Sequence, residues 1–274
     1  MTAPAPPRAP KFPLRLNAVT ASARKAHGVL RPQQLLAHAH TELTRQSVLT
    51  NAGLGMDSDA LRARMVQRLR AGGIANEALL NAMVSIPRHR FVDSALVSQA
   101  YEDTSLPIGH GQTISKPSVV ARMIDLLFGG VNAQRNVHLG RVLEIGTGCG
   151  YQAAVLAAIA SYVVSVERLK PLHDKARELL APLRPEHLRL VYGDGMLGHP
   201  PNAPYDSIIA AASGDEVSQA WLDQLAVGGR LVSPVRRAGT QQQMLVMVDR
   251  TKKGFEHRVL EAVHFVPLKS GLIG

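Results

Sequence analysis

The stretch Arg141-Val-Leu-Glu-Ile-Gly-Thr-Gly-Cys-Gly-Tyr151 decides the fold, because an apolar strand runs straight into three glycines on alternate positions and then into a helix. Val142, Leu143 and Ile145 are branched apolar residues suited to a buried parallel strand, and Gln152 to Ala160 carries Ala, Leu and Ile at helical spacing. Gly146, Gly148 and Gly150 supply the turn. Lacking a Cβ, glycine reaches positive φ and lets a ligand approach the backbone, while the next helix presents unpaired N–H groups to it. The unit reads as a site for a nucleotide-type cofactor.

Spacing narrows the cofactor. A dinucleotide pyrophosphate usually takes Gly-x-Gly-x-x-Gly, and Tyr151 stands where its third glycine belongs. Glu144, two positions before the first glycine, would repel a diphosphate and attract a sulfonium. The pattern therefore favours S-adenosylmethionine over NAD. A second strand, Tyr162 to Glu167, ends in an acid about 20 residues past the turn, where such folds hydrogen-bond ribose hydroxyls. Glu167 is the expected ribose ligand. A third strand, Leu188 to Tyr192, runs into Gly193-Asp194-Gly195, where a carboxylate can accept from the adenine amino group. Each piece alone has a plainer reading: a tight connection for the glycines, a helix-dipole acid for Glu167, a turn former for Asp194. Their order favours the cofactor site.

The chain has 274 residues, 46% of them hydrophobic, enough for one catalytic domain with an appendage. No apolar run approaches the roughly 20 residues of a transmembrane helix, and no charged start with an apolar h-region marks a secretory signal. The expectation is a soluble, cytoplasmic, monomeric protein with no membrane partner. Cys149 has no second cysteine to pair with and reads as a small filler of the turn. The 11 histidines show no metal-ligand spacing, since His38 and His40 do not share a helix face, and no metal is expected.

Charge is uneven. Residues 1–56 carry Arg8, Lys11, Arg15, Arg24, Lys25, Arg31 and Arg45 against Glu42 alone. The opening Ala3-Pro-Ala-Pro-Pro-Arg-Ala-Pro-Lys11 cannot form regular hydrogen-bonded structure, so 1–56 reads as a basic, disordered extension with a weak helix near 33–49. Such a tail can touch nucleic acid or an anionic surface, and loosely resembles an organelle transit peptide; a solvated tail is the favoured reading, with no nucleic-acid partner expected. Residues 57–274 form the expected catalytic domain, with 57–135 a helical part and substrate loop and 136–274 the cofactor sheet. A helix from about Met56, capped by Asp57 or Ser58, places Leu61, Met65, Val66 and Leu69 on one face and ends at Gly72 and Gly73; a second spans about 76–84.

Leu106-Pro-Ile-Gly-His-Gly-Gln-Thr-Ile-Ser-Lys-Pro117 is a loop of glycines, prolines and hydroxyls ahead of a helix over 118–128. By themselves Thr113 and Ser115 are ordinary turn or capping residues. With Ile86-Pro-Arg-His-Arg-Phe-Val-Asp93, the glycine turn and Val266-Pro-Leu268, however, the chain from about residue 60 onward resembles the protein-L-isoaspartate O-methyltransferases. The loop Gln112-Thr-Ile-Ser115 paired with the glycine turn is the specific part. The resemblance implies an α/β, Rossmann-like S-adenosylmethionine-dependent methyltransferase fold, with a mostly parallel, doubly wound sheet finished by antiparallel C-terminal strands over 243–248 and 259–267. It implies Ser115 as the active-site residue, Thr113 in a loop covering the cofactor, and Glu167 and Asp194, with Gly195, on S-adenosylmethionine. It also implies peptides and proteins with L-isoaspartyl residues as substrates. Two other functions stay open at this point: methyl transfer to another acceptor, which has no need of the 112–115 loop, and an inactive basic binding protein.

Overall fold

The computed structural model describes residues 58–274, so the extension 1–56, its helix near 33–49 and Asp57 as a cap lie outside the described residues. Helix α1 (Ser58–Ala71) buries Met65, Val66 and Leu69 and stops where Gly73 takes φ 99°. Helix α2 (Glu77–Ser85) is capped by Asn76, whose side chain accepts from the Leu79 N–H at 3.0 Å. Ile86 is extended ahead of Pro87, which ends the helix, and the 3-10 turns Arg88–Phe91 and Ser94–Gln99 follow. The segment expected as a loop is then an antiparallel hairpin, β1 (Leu106–Gly109) with β2 (Gln112–Ile114), turning through positive φ at Gly109, His110 and Gly111. Its punctuating residues are the turn, while Leu106, Ile108 and Ile114 are buried. Helices α3 (Pro117–Phe128) and α4 (Val131–Asn136) complete this region, α3 starting on a proline whose missing N–H costs nothing there.

The remaining elements alternate: β3 (Arg141–Ile145), α5 (Tyr151–Ala157), β4 (Tyr162–Glu167), α6 (Lys170–Leu180), β5 (Leu188–Tyr192), β6 (Tyr205–Ala210), α7 (Gln219–Gln224), then β7 (Leu225–Arg236), β8 (Gln243–Thr251) and β9 (Gly254–Val263). They form a seven-stranded sheet in the order β5-β4-β3-β6-β7-β8-β9, parallel through β7 and antiparallel across β8 and β9. From β3 the chain builds outward one way through β4 and β5, then returns to β3's other side with β6. Ligands of open α/β sheets bind at the strands' carboxyl ends beside such a switch point.

Several boundaries differ from expectation. Helix α5 ends at Ala157 rather than Ala160, because the Ile159 carbonyl turns back to accept from the Leu139 N–H at 3.1 Å, just ahead of β3. Strand β9 starts at Gly254 and stops at Val263; Pro267 instead bridges Ser213 beyond the end of β6. Strand β7 escaped the sequence reading because Gly228, Gly229 and Pro234 interrupt its apolar pattern.

Both sheet faces are covered. On one, Val142, Val163, Ile209 and Val232 join a core that includes Met65, Leu80, Met83, Ile124 and Leu127 from the preceding helices. On the other, Leu143, Val164, Ile208 and Leu231 pack with Trp221 and Leu222 of α7. Among the described residues no helix is long and apolar enough to cross a membrane. Trp221 is fully buried and its indole N–H donates to the Gly195 carbonyl at 2.8 Å, tying α7 to the loop after β5. Trp221→Phe strands that carbonyl and opens a void, and should lower the unfolding free energy by about 1–3 kcal/mol in urea titrations.

Candidate active site

At the end of β3 the chain must leave a buried strand and enter α5 within a few residues, and the three glycines accomplish this with φ of 90°, 56° and 91° at Gly146, Gly148 and Gly150. At Gly150 a Cβ would also stand 2.9 Å from Leu180 Cδ1 on α6, so the turn packs against its neighbour as well as bending. The Gly146 N–H donates to the Val166 carbonyl at 2.9 Å, holding the turn against the end of β4.

Glu167, the last residue of β4, is buried and fixes the other side of the turn. Its Oε2 accepts from the Gly148 N–H at 2.9 Å and its Oε1 from the Leu169 N–H at 2.9 Å. Each carboxylate oxygen has a further lone pair for a hydroxyl donor. Beyond β5, Asp194 caps a 3-10 turn: Oδ1 accepts from the Met196 N–H at 2.9 Å and Oδ2 from the Gly271 N–H at 2.6 Å. The second contact brings the C-terminal segment onto this edge. Arg168 holds it there, its Nε donating to the Gly271 carbonyl at 2.8 Å and its Nη2 to that of Ser270 at 3.2 Å, while the Lys170 N–H donates to the Ile273 carbonyl at 2.9 Å.

These parts enclose one cavity. Gly146, Gly148, Glu167 and Gly195 line it together with Thr113 and Ser115 of the hairpin segment, and the later segment contributes Val266 to Lys269 and Ile273. Ser115 is half-buried; its carbonyl accepts from Arg88, and its hydroxyl has no hydrogen-bond partner among the described residues. Apolar Ile145, Val166, Leu169 and Leu172 line the cavity together with Glu167, a lining that fits an adenosyl group. At Gly195 a Cβ would come within 2.6 Å of Ile145 Cγ2, so the loop approaches β3 as closely as backbone allows.

Three expected residues stand apart from the lining. Gly150 faces Leu180 and Ala176 instead. Asp194 is half-buried beside Gly195, engaged as described. Glu144 departs most, and for a physical reason: side chains alternate along a strand, so Ile145 meets the cavity while Glu144 is sealed away from it. Its Oε1 accepts from Gln152 Nε2 at 2.9 Å and its Oε2 from the Ser165 hydroxyl, which also shares a 2.6 Å hydrogen bond with Thr147. Complete burial lifts its carboxyl to about 8, so at neutral pH it is mainly uncharged. Sealed and mainly uncharged, Glu144 does not attract a sulfonium in the cavity, contrary to expectation; it buttresses the turn through Gln152, Ser165 and Thr147. Cys149 is buried and burial pushes its thiol up, in keeping with a filler. The sequence does not mark Arg168 or Ser165, and it leaves the contacts of the tail 269–274 unassigned, since their partners are set by tertiary contacts.

A switch-point cavity lined by this glycine turn and by an acid at the end of the next strand has the layout of a Rossmann-like S-adenosylmethionine-dependent methyltransferase. Comparison with known proteins is more specific. The family model described as protein-L-isoaspartate(D-aspartate) O-methyltransferase matches residues 60–272. Curated proteins named protein-L-isoaspartate O-methyltransferase include one from Leptothrix cholodnii, 58% identical over 97% of this chain and 96% of its own, and one from Methylibium petroleiphilum, 59% identical over 96% and 97%. A solved structure of that name is 28% identical with a TM-score of 0.69, covering 77% of this chain and 67% of its own. The chain belongs to the protein-L-isoaspartate(D-aspartate) O-methyltransferase family. The coverage by the two curated relatives extends well before residue 60, so the basic segment, which falls outside the family motifs, has a counterpart in them.

Two outcomes are expected. Glu167→Ala removes the acceptor that fixes the Gly148 and Leu169 N–H groups and should weaken S-adenosylmethionine binding about tenfold to a hundredfold in calorimetry; a change under about twofold would remove Glu167 from the binding site. Glu144 concerns stability. Folded, it keeps its proton up to about 8, whereas an unfolded chain releases it near the ordinary 4.5, so its stabilising contribution is complete below the lower value and lost as pH rises through the higher. Denaturant titrations between about pH 5 and 8 should show Glu144→Gln losing less stability with rising pH than the unmutated protein.

Proposed function

We propose that this chain transfers the methyl group of S-adenosylmethionine to the free α-carboxylate of L-isoaspartyl residues, with Ser115 acting at the acceptor and Glu167, Gly146, Gly148 and Gly195 holding the donor. The observation that carries this reading is the one cavity that Ser115 lines together with the glycine turn and Glu167. When bound, S-adenosylmethionine supplies an electrophilic methyl group. The protein's part follows from the acceptor's chemistry. A carboxylate is ionised at neutral pH and needs no general base, so acceleration comes chiefly from positioning. The Ser115 hydroxyl, with no partner of its own, donates to one carboxylate oxygen and aims the other. Thr113, exposed in the strand just before Ser115, covers the cofactor, and the Asp194 carboxylate accepts from the adenine amino group.

Isoaspartate differs from aspartate by an extra backbone methylene and a free α-carboxylate, and it is this group that the Ser115 region selects. The methyl ester can close to a succinimide and reopen in part as aspartate, a repair cycle. Damaged peptides and proteins are the partners in this reading, acted on by a monomer in the cytoplasm without a nucleic-acid partner. It is supported by the family relationship and by a cavity that Glu167 and the glycine turn share with Ser115.

With radiolabelled S-adenosylmethionine and a matched pair of peptides, base-labile label should appear on the L-isoaspartyl peptide and not on its L-aspartyl twin. Ser115→Ala should lower kcat on the isoaspartyl peptide about tenfold or more, with melting temperature and S-adenosylmethionine affinity unchanged. Parallel losses of stability and activity would contradict the role given to Ser115.

A further inference from the structure

Arg88, at the start of the first 3-10 turn, is fully buried, and among the described residues no carboxylate forms an ion pair with it. Its Nε donates to the Ala100 carbonyl at 2.8 Å and its Nη2 to the Ser115 carbonyl at 2.7 Å. The guanidinium carbon lies 4.9 Å from the centroid of the Tyr151 ring, and Nη1 is buried without a hydrogen-bond partner among the described residues. Asp103 contributes a favourable field, but its carboxylate is engaged by the Ser118 N–H and hydroxyl, each at 2.8 Å. Ser115 and Tyr151 both line the cavity, whereas Arg88 does not.

An arginine does not shed its proton to escape burial, and a desolvated cation without a counterion is costly. Tying Ala100 to Ser115 needs only N–H donors. The charge adds something that a tie does not use: positive potential immediately behind the wall where an anionic acceptor binds, in surroundings that screen it little.

We infer that Arg88 is a positioning residue for methyl transfer, its guanidinium fork fixing Ser115 through the backbone and its unpaired charge biasing the cavity toward a carboxylate acceptor. The inference rests on the isoaspartyl reading above. It divides Arg88 into two separable parts, fork and charge.

Full-length Arg88→Lys and Arg88→Gln proteins test it, with S-adenosylmethionine affinity and melting temperature measured beside kinetics on the isoaspartyl peptide. The same peptide carrying an α-carboxamide serves as a competitive inhibitor, and the ratio of its affinity to that of the acid reports the preference for negative charge. Arg88→Lys, which keeps the charge and loses the fork, should retain that preference while kcat falls about tenfold. Arg88→Gln, which keeps a donor and loses the charge, should lower the preference about tenfold. An unchanged preference in Arg88→Gln, or activity that falls in both variants only in step with cofactor affinity and stability, would overturn the inference and leave Arg88 a structural tie. Should Arg88→Gln fail to fold, Arg88→Lys decides, and an undiminished kcat rejects the proposal. Absence of transfer by the unmutated protein is a different failure, visible before any substitution, and removes the functional reading together with this inference.

Discussion

The Glu167 carboxylate is the contact on which the site depends. One side chain at the end of β4 accepts from Gly148 in the turn after β3 and from Leu169 at the entry to α6. It thereby sets the relative position of two adjacent strand ends, and it leaves lone pairs on both oxygens at the place where the sheet's switch point opens a crevice. A charge-assisted acceptor is well suited to this, because N–H groups directed at a carboxylate hold more firmly than neutral pairs do. The glycines can take their positive φ because Glu167 and the Val166 carbonyl collect the N–H groups that the turn exposes.

Around that contact the protein uses ionisable groups in opposite ways. Glu144, inside the sheet and bonded to Gln152 and Ser165, is kept mainly neutral by burial and serves as a structural hydrogen-bonding group. Arg88, equally buried, has no option of neutrality and keeps its charge behind the hairpin segment. Glu167 faces the cavity. Three side chains of formally ionic type thus sit in three settings, one sealed and hydrogen-bonded, one sealed without a counterion and one open to the cavity.

What the sequence made legible was what is local. The β3 strand, its glycine turn, β4 ending in Glu167 and β5 leading into Asp194 all follow from branched apolar runs and from residues that only certain backbone angles accept. The 106–117 segment was legible as a rigid unit and not as a hairpin, because its turn residues mask two strands of four and three residues. Distance along the chain places Glu144 near the turn, but alternation turns its neighbour Ile145 to the cavity and seals Glu144 among Gln152 and Ser165. The partners of Arg88 lie 12 and 27 residues away, and Gly271 meets Asp194 across 77, separations that no window of sequence pattern spans.

In the proposed reaction one cavity brings donor and acceptor together, with Glu167 on one side and Ser115 on the other. The most direct measurement is a crystal structure of the full chain with S-adenosylhomocysteine and an L-isoaspartyl peptide bound together. The expected complex has ribose hydroxyls on Glu167 and the peptide α-carboxylate within hydrogen-bond distance of the Ser115 hydroxyl. A peptide carboxylate bound away from Ser115, or a ribose without contact to Glu167, would contradict it.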